Sequence, residues 1–330
     1  MNVEDLPLEA SEGPEDVTTP RAAPHMAGAA VGDRVYRWLT TIAALVIPAL
    51  LAYVGIEIFV AGWPAFQRAG FSFFTSSRWD PVASVFGAAP AIYGTLVSSA
   101  IALVIATPLA VGTAIFLSEL APRWLRQPVS FLVDLLAAIP SVVYGLWGIF
   151  VLAPMMRGTI APFVKHTLHL GGLPIFSGPV YGPGMLTAGI ILSIMILPYI
   201  SAVTREVLLA VPRSQREAAL ALGATRWEVI RDAVIPGARS GIVGGIVLGL
   251  GRALGETMAV TMVIGNTPKI STSLFATGYT MASIIANEFS EAVSNAHLSA
   301  LMAVGASLLA ITFLVNVIAR WLIARVGARV

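Results

Sequence analysis

The chain has 330 residues, 57% of them hydrophobic and only 12% charged, with a formal net charge of +2 and no cysteine. A water-soluble domain carries about 25% charged residues, so most of this chain is built for lipid; at about 20 apolar residues per spanning helix there is room for several spans and little for a soluble domain. The missing cysteines exclude disulfides and thiolate metal sites, so small a net charge says nothing for a nucleic-acid partner, and neither Lys165 nor Lys269 stands in a glycine-rich nucleotide-phosphate loop.

Residues 1–35 read as a disordered tail, because the first 32 are acidic, rich in proline and poor in aromatics. They lack the basic start and apolar core of a cleaved leader, so the apolar run that follows is expected to be a retained helix. Six membrane helices are predicted, near 36–62, 90–118, 128–154, 184–206, 241–265 and 298–323, within an all-α polytopic bundle over 36–326. Pro48, Pro108, Pro140 and Pro198 fall inside four of them. In a membrane bundle the neighbouring helices re-satisfy the carbonyls that proline frees. Gly241, Gly245 and Gly249 repeat at four-residue spacing, as do Gly251 and Gly255, which predicts close helix contact along the fifth helix.

Orientation follows from Lys and Arg. With the N-terminus cytoplasmic, fourteen of the twenty basic residues lie on the cytoplasmic side, five on the outer side, and Arg252 within the membrane. That bias fits six spans with both termini inside. Two outer segments, 63–89 and 266–297, mix aromatics with Ser, Thr and Asn; connecting loop and docking surface both remain open for them. Glu57 and Glu119 are expected at helix ends, reaching headgroups or water, and Lys165, His166 and His169 share a loop too poor in further ligands for a metal site.

The longest cytoplasmic loop, 207–240, has its own helical punctuation. Ser214 and Thr225 each stand three residues before a glutamate, Glu217 and Glu228, as in a capping box. A short helix is expected from Gln215 to about Leu222, with Gly223 as its left-handed end. A second is expected toward Ile235, stopped by Pro236. Ala218, Ala219, Ala221 and Gly223 give the first helix a small-residue surface, which suits either the close approach of another protein or an amphipathic helix lying on lipid headgroups.

This loop resembles a family motif. Glu217-Ala218-Ala219, three residues, Gly223 and then Pro236 are similar to the EAA-x3-G-x9-I-x-L-P pattern of ABC transporter permeases, with Ala233 and Ile235 as apolar replacements. GRALGETMAVTMVIGN at 251–266 and LLAAIPSVVYGLWG at 135–148 look like the phosphate-specific transport (Pst) permeases, C-subunit type, and the resemblance covers about 36–323. It implies an importer permease in the bacterial cytoplasmic membrane that conducts inorganic phosphate inward. It implies that Glu217, Ala218, Ala219, Gly223, Thr225 and Arg226 dock on a separate ATPase, present in two copies and using ATP and Mg. A second Pst-type permease would complete a heterodimer, and an extracytoplasmic binding protein would deliver phosphate. The chain itself would be no enzyme and would bind no cofactor. The rivals are a permease for another oxyanion, molybdate or sulfate, and an ion-coupled secondary transporter.

Arg252 and Glu256 pose the sharpest question, since both fall in the predicted fifth helix. A charge at the bilayer centre costs about 2.5–3.5 kcal/mol, and an i,i+4 ion pair returns only about 0.2–0.5 kcal/mol. Their mutual contact cannot account for them. Either they lock the bundle in a buried network, or they face the substrate path, where the planar fork of Arg252 donates to an oxyanion and Glu256 hastens release. Asp134 is a further candidate in the path, or lies at the membrane edge. Ser141, after Pro140, could offer a hydroxyl to the same anion.

Overall fold

A computed structural model describes residues 27–327. The chain divides into two units, Met1–Val54 and Gly55–Val330. In the first, the described part is the start of helix α1 (Ala27–Ala69), whose residues 32–54 are exposed all round. The helix begins inside the segment expected to be a disordered tail, so 27–35 are helical; residues 1–26 lie outside the described residues. Because α1 runs on to Ala69, Glu57 sits well inside it rather than at its end.

The second unit continues with α2 (Ser72–Thr75) and a hairpin of β1 (Trp79–Asp80) and β2 (Val85–Phe86), which are paired antiparallel. Then come α3 (Ala89–Ile115), closing in a π turn at Phe116–Leu120, and α4 (Arg123–Ala138). Next are α5 (Ser141–Trp147) and α6 (Ala153–Met155), linked and extended by π turns as far as Thr167. The chain goes on through α7 (Met185–Ala210), α8 (Arg213–Ala221), α9 (Arg226–Glu228), a π turn at Val229–Val234 and α10 (Ile235–Gly255). It ends with α11 (Met258–Val263), α12 (Met281–Glu288) and α13 (Asn295–Gly327).

Six stretches are long and apolar enough to cross a membrane: Gly32–Ala69, Ala89–Leu120, Ser141–Thr167, Met185–Ala210, Arg226–Leu254 and Asn295–Arg325. The fourth, α7, is the core helix: 61% of its most apolar window is buried, against 28% or less in each of the others. Small residues let its neighbours approach. A Cβ on Gly241 would fall 2.4 Å from Val207 Cγ1, one on Gly245 3.2 Å from Val203 Cβ, and one on Gly249 2.7 Å from Ile200 Cγ1. The predicted glycine face of α10 is therefore the seam against α7. Gly251 and Gly255 have open space or only the Asn316 amide, 4.0 Å away, beside them.

Two predicted helices are broken. The third was expected to run through Pro140, but Ile139 is extended (φ −68°, ψ 128°) and the span starts afresh at Ser141. The residue before a proline is driven out of the helical region. The fifth was expected to run unbroken to 265, but it stops at Gly255, and Glu256 is extended (φ −70°, ψ 125°) before α11 restarts. At its other end the span begins much earlier than expected. Pro236 closely follows the π turn Val229–Val234 and the helix runs on through it instead of stopping, the turn being a place where the regular hydrogen-bond ladder is already shifted.

The segments 63–89 and 266–297 are fastened together. Trp79 Nε1 donates to Glu288 Oε2 at 2.8 Å, and His297 Nε2 lies 2.8 Å from the same oxygen. Phe86 stacks on His297, with centroids 5.4 Å apart and planes at 13°. Tyr279 hydroxyl lies 3.3 Å from Glu288 Oε1, and burial pushes its pKa above the ordinary tyrosine range.

Candidate functional site

Both helix breaks belong to one place. A Cβ at Gly145 would fall 2.6 Å from Met262 Sδ and 3.2 Å from Ala259 Cα, and one at Gly148 2.6 Å from Val263 Cγ1. The contacts advance in the same direction along α5 and α11, so the two short helices run side by side from their breaks. Helix ends leave carbonyls and amides without intrahelical partners, and here side chains take them up. Tyr144 hydroxyl donates to Leu136 O at 2.8 Å and Tyr199 hydroxyl to Ala137 O at 3.4 Å, which satisfies the end of α4. Glu256 Oε1 accepts from Ala259 N at 3.4 Å, which places a carboxylate at the start of α11, where the helix dipole favours it.

Arg252 lies in the last turn of α10, immediately before this break. Its Cζ sits 4.4 Å from the centroid of the Tyr199 ring. It forms no ion pair among the described residues, and its buried Nε has no hydrogen-bond partner there. The expected placement of Arg252 and Glu256 on one continuous helix is thus corrected: the break separates them, and each faces a different group. Cation–π contact holds the guanidinium flat without using its N–H donors, so the fork is available to an anion.

The other sequence candidates divide. Ser141 opens α5 one turn before Tyr144 and is half-buried at the break. Asp134 is exposed on α4, a helix shorter than the six long apolar stretches. Tyr144 and Tyr199 were missed by sequence reasoning. Their only sequence signal is an aromatic in each of two apolar helices, which does not distinguish them from packing residues.

In the loop 207–240, Gly223 is left-handed (φ +86°), as its place at a helix end predicts. Thr225 forms the expected capping box with Glu228: Glu228 N donates to Thr225 Oγ1 at 3.4 Å and Thr225 N to Glu228 Oε2 at 2.7 Å. The box expected at Ser214 and Glu217 is absent, because α8 starts earlier, after Pro212, and carries Ser214 inside its first turn. Glu217, Ala218, Gly223, Thr225 and Arg226 are exposed, and Ala219 is half-buried against the apolar cluster of Val211, Val229 and Val234. Beside them stand apolar side chains that sequence reasoning did not single out: Leu220, Trp227, and Leu222 at 89% exposure. Glu119 does not reach solvent or headgroups as expected; it is 12% exposed and paired with Arg216.

Residues 106–328 match the family described as binding-protein-dependent transport system inner membrane component. The chain is 50% identical over 304 residues to the phosphate transport system permease protein PstC of Mesorhizobium japonicum, covering 91% of this chain and 92% of that one. It is 45% identical over 295 residues to the PstC protein of Haemophilus influenzae, covering 89% and 93%. It is 43% identical over 315 residues to PstC 2 of Mycobacterium tuberculosis, covering 93% and 96%. Among solved structures, an inward-facing form of the MetNI methionine ABC transporter has a chain of like fold, with a TM-score of 0.52 and 17% identity, over 72% of this chain and 94% of that one.

Proposed function

The chain belongs to the family of binding-protein-dependent transport system inner membrane components, in its PstC phosphate-permease branch, and on that premise we propose that it conducts inorganic phosphate inward across the bacterial cytoplasmic membrane, with both termini cytoplasmic. In this reading it pairs with a second Pst-type permease and with two copies of an ATPase subunit. Those partners hydrolyse ATP with Mg, while this chain hydrolyses nothing and holds no cofactor. An extracytoplasmic binding protein delivers the phosphate.

One observation carries the pathway assignment. Arg252, at a helix break inside the bundle, keeps donors that no described residue accepts. Broken helices in transporters place unpaired backbone groups beside a substrate path. Arg252 binds the phosphate oxygens through its fork, Ser141 adds a hydroxyl from α5, and the Glu256 carboxylate repels the anion enough for release. Asp134, exposed on α4, has no part in this path. The elbow of α8 and α9 is the ATPase-docking element. Its exposed Glu217, Ala218, Gly223, Thr225 and Arg226, flanked by Leu222 and Trp227, give a partner both small-residue and apolar contact.

The reading is tested by uptake of labelled phosphate into vesicles that hold the assembled complex. Unlabelled phosphate is expected to compete, whereas molybdate and sulfate are not; equal competition by either would move the assignment to that oxyanion. Orientation is tested with single cysteines at Ser76, Thr272 and Ser214 in this cysteine-free chain. An impermeant thiol reagent outside intact cells is expected to label the first two only.

A further inference from the structure

The docking elbow is anchored by a side chain that the preceding reading does not use. Arg216, on α8, donates from Nη1 to Glu119 Oε2 at 3.2 Å, a charge-assisted hydrogen bond, and its Nη2 lies 3.1 Å from Glu119 Oε1. The same Nη2 donates to Leu208 O at 2.6 Å, near the end of α7. Arg216 is 22% exposed and Glu119 12%. Around them α8 buries no residue outright, and its start has no side-chain cap. The fork therefore stands out as the polar attachment of an otherwise exposed helix.

What it attaches to matters. Glu119 lies in the π turn that ends the second span, 97 residues away in sequence, and Leu208 lies near the end of the fourth, the buried core helix. Arg126 of α4 donates to Ser118 O at 3.0 Å in the same π turn. One guanidinium thus joins the docking helix to the ends of two spans, while a second ties the turn to the helix that leads to the break at Ile139–Pro140. π turns are weak points in a helix, common where it must adjust.

We propose that Arg216 and Glu119 are positioning residues for transport: their ion pair passes displacement of α8 to the cytoplasmic ends of the second and fourth spans. This rests on the reading of α8 as the ATPase-docking element. A push on α8 reaches the fourth span partly through the short link at Val211 and Pro212, but it reaches the second span across no backbone link. The guanidinium resists shear because its planar fork bonds Glu119 from Nη1 and Leu208 O from Nη2 at once, whereas a lysine in its place would offer a point charge free to swivel.

The test uses the complete complex in lipid vesicles and measures ATP hydrolysis and phosphate uptake in the same preparation. Arg216→Ala and Glu119→Ala are each expected to retain the ATPase and its hydrolysis while phosphate moved per ATP falls about tenfold, the low end of what a hydrogen bond to a charged group is worth. Arg216→Lys should fall between these and the unaltered protein. The double exchange Arg216→Glu with Glu119→Arg should recover part of the lost ratio. Three results overturn the proposal: single variants with an unchanged ratio, single variants in which hydrolysis falls in step with uptake or the ATPase dissociates, or an exchange no better than the singles. Failure of the docking reading shows separately. A cysteine at Ala218 in the otherwise unaltered complex would then form no cross-link to the ATPase, whatever the exchange variant does.

Discussion

Arg216 and Arg252 are both half-buried arginines in a chain with few charges, and the structure treats them oppositely. Arg216 is ion-paired with a carboxylate, to which Nη1 donates, while Nη2 donates to a carbonyl. Arg252 meets only an aromatic face. A charge near the bilayer centre costs about 2.5–3.5 kcal/mol, and a cation–π contact returns about 0.5–2 kcal/mol. The shortfall of roughly 0.5–3 kcal/mol leaves Arg252 short of compensation. In the proposed pathway a passing anion supplies what is missing. An arginine tied to both a carboxylate and a carbonyl holds a structure together; one that donates to no described residue can bind and release a ligand.

That contrast breaks most sharply at Arg252 itself. Arg252→Gln should assemble with its partners yet lose phosphate uptake by roughly 10- to 150-fold, the worth of a hydrogen bond to a charged group. If instead the complex fails to assemble, Arg252 belongs with Arg216 as a structural residue. Uptake near the unaltered level would remove it from the path. Glu256→Gln tests the other half of the separated pair. Glutamine still offers an oxygen to Ala259 N, so α11 should keep its start while the anion loses its repulsion. Uptake should fall about tenfold, through slower release rather than weaker binding, as one lost unit of electrostatic opposition implies. A lower KM together with a lower kcat would carry that reading; a raised KM would sink it.

The sequence pattern made the six spans legible because apolar length is a composition signal, and the glycine face of α10 was legible because close packing needs small residues at fixed spacing. The breaks were not. α3 and α7 run straight through Pro108 and Pro198, whereas the chain leaves the helix before Pro140 and, with no proline at all, at Glu256. Local preference does not separate these cases. The breaks stand because side chains take up the freed backbone: Tyr144 and, from 62 residues away, Tyr199 at the end of α4, and Glu256 at the start of α11. For the same reason the Arg216–Glu119 pair is invisible in sequence, with 97 residues between its members. The cytoplasmic elbow was half legible. Gly223 and the Thr225 box are local chemistry and formed as their residues dictate, while the start of α8 and the continuation through Pro236 were set by the helices on either side.

Gly223→Val moves the comparison to the docking end. No neighbour lies within 4 Å of where its Cβ would be, so any defect must come from the backbone. Holding a β-branched residue at φ +86° costs roughly 1–2 kcal/mol. The elbow should re-form in another shape, and uptake should fall several-fold with the six spans still inserted. Gly223→Asn, which tolerates the left-handed region better, should keep more activity than the valine variant. Equal losses in the two would show that space on the docking surface matters rather than the turn.

The smallest expected effect is the most discriminating for Arg252. Tyr199 does two things: its ring lies under the guanidinium, and its hydroxyl reaches Ala137 O across 3.4 Å. Tyr199→Phe keeps the ring and loses a long hydrogen bond, and should leave uptake within about twofold, given that a neutral hydrogen bond is worth only about 0.5–1.5 kcal/mol at good geometry. Tyr199→Leu removes the ring. If the ring is where Arg252 rests between anions, its loss leaves the guanidinium free of a competitor. Phosphate then binds more tightly and leaves more slowly, so KM and kcat fall together. If the hydroxyl is what matters, because it closes the end of α4 at the break, the phenylalanine variant suffers as much as the leucine one and KM does not fall. Steady-state uptake over a range of phosphate concentrations separates the two, since only a resting place for Arg252 predicts tighter binding from the removal of a contact.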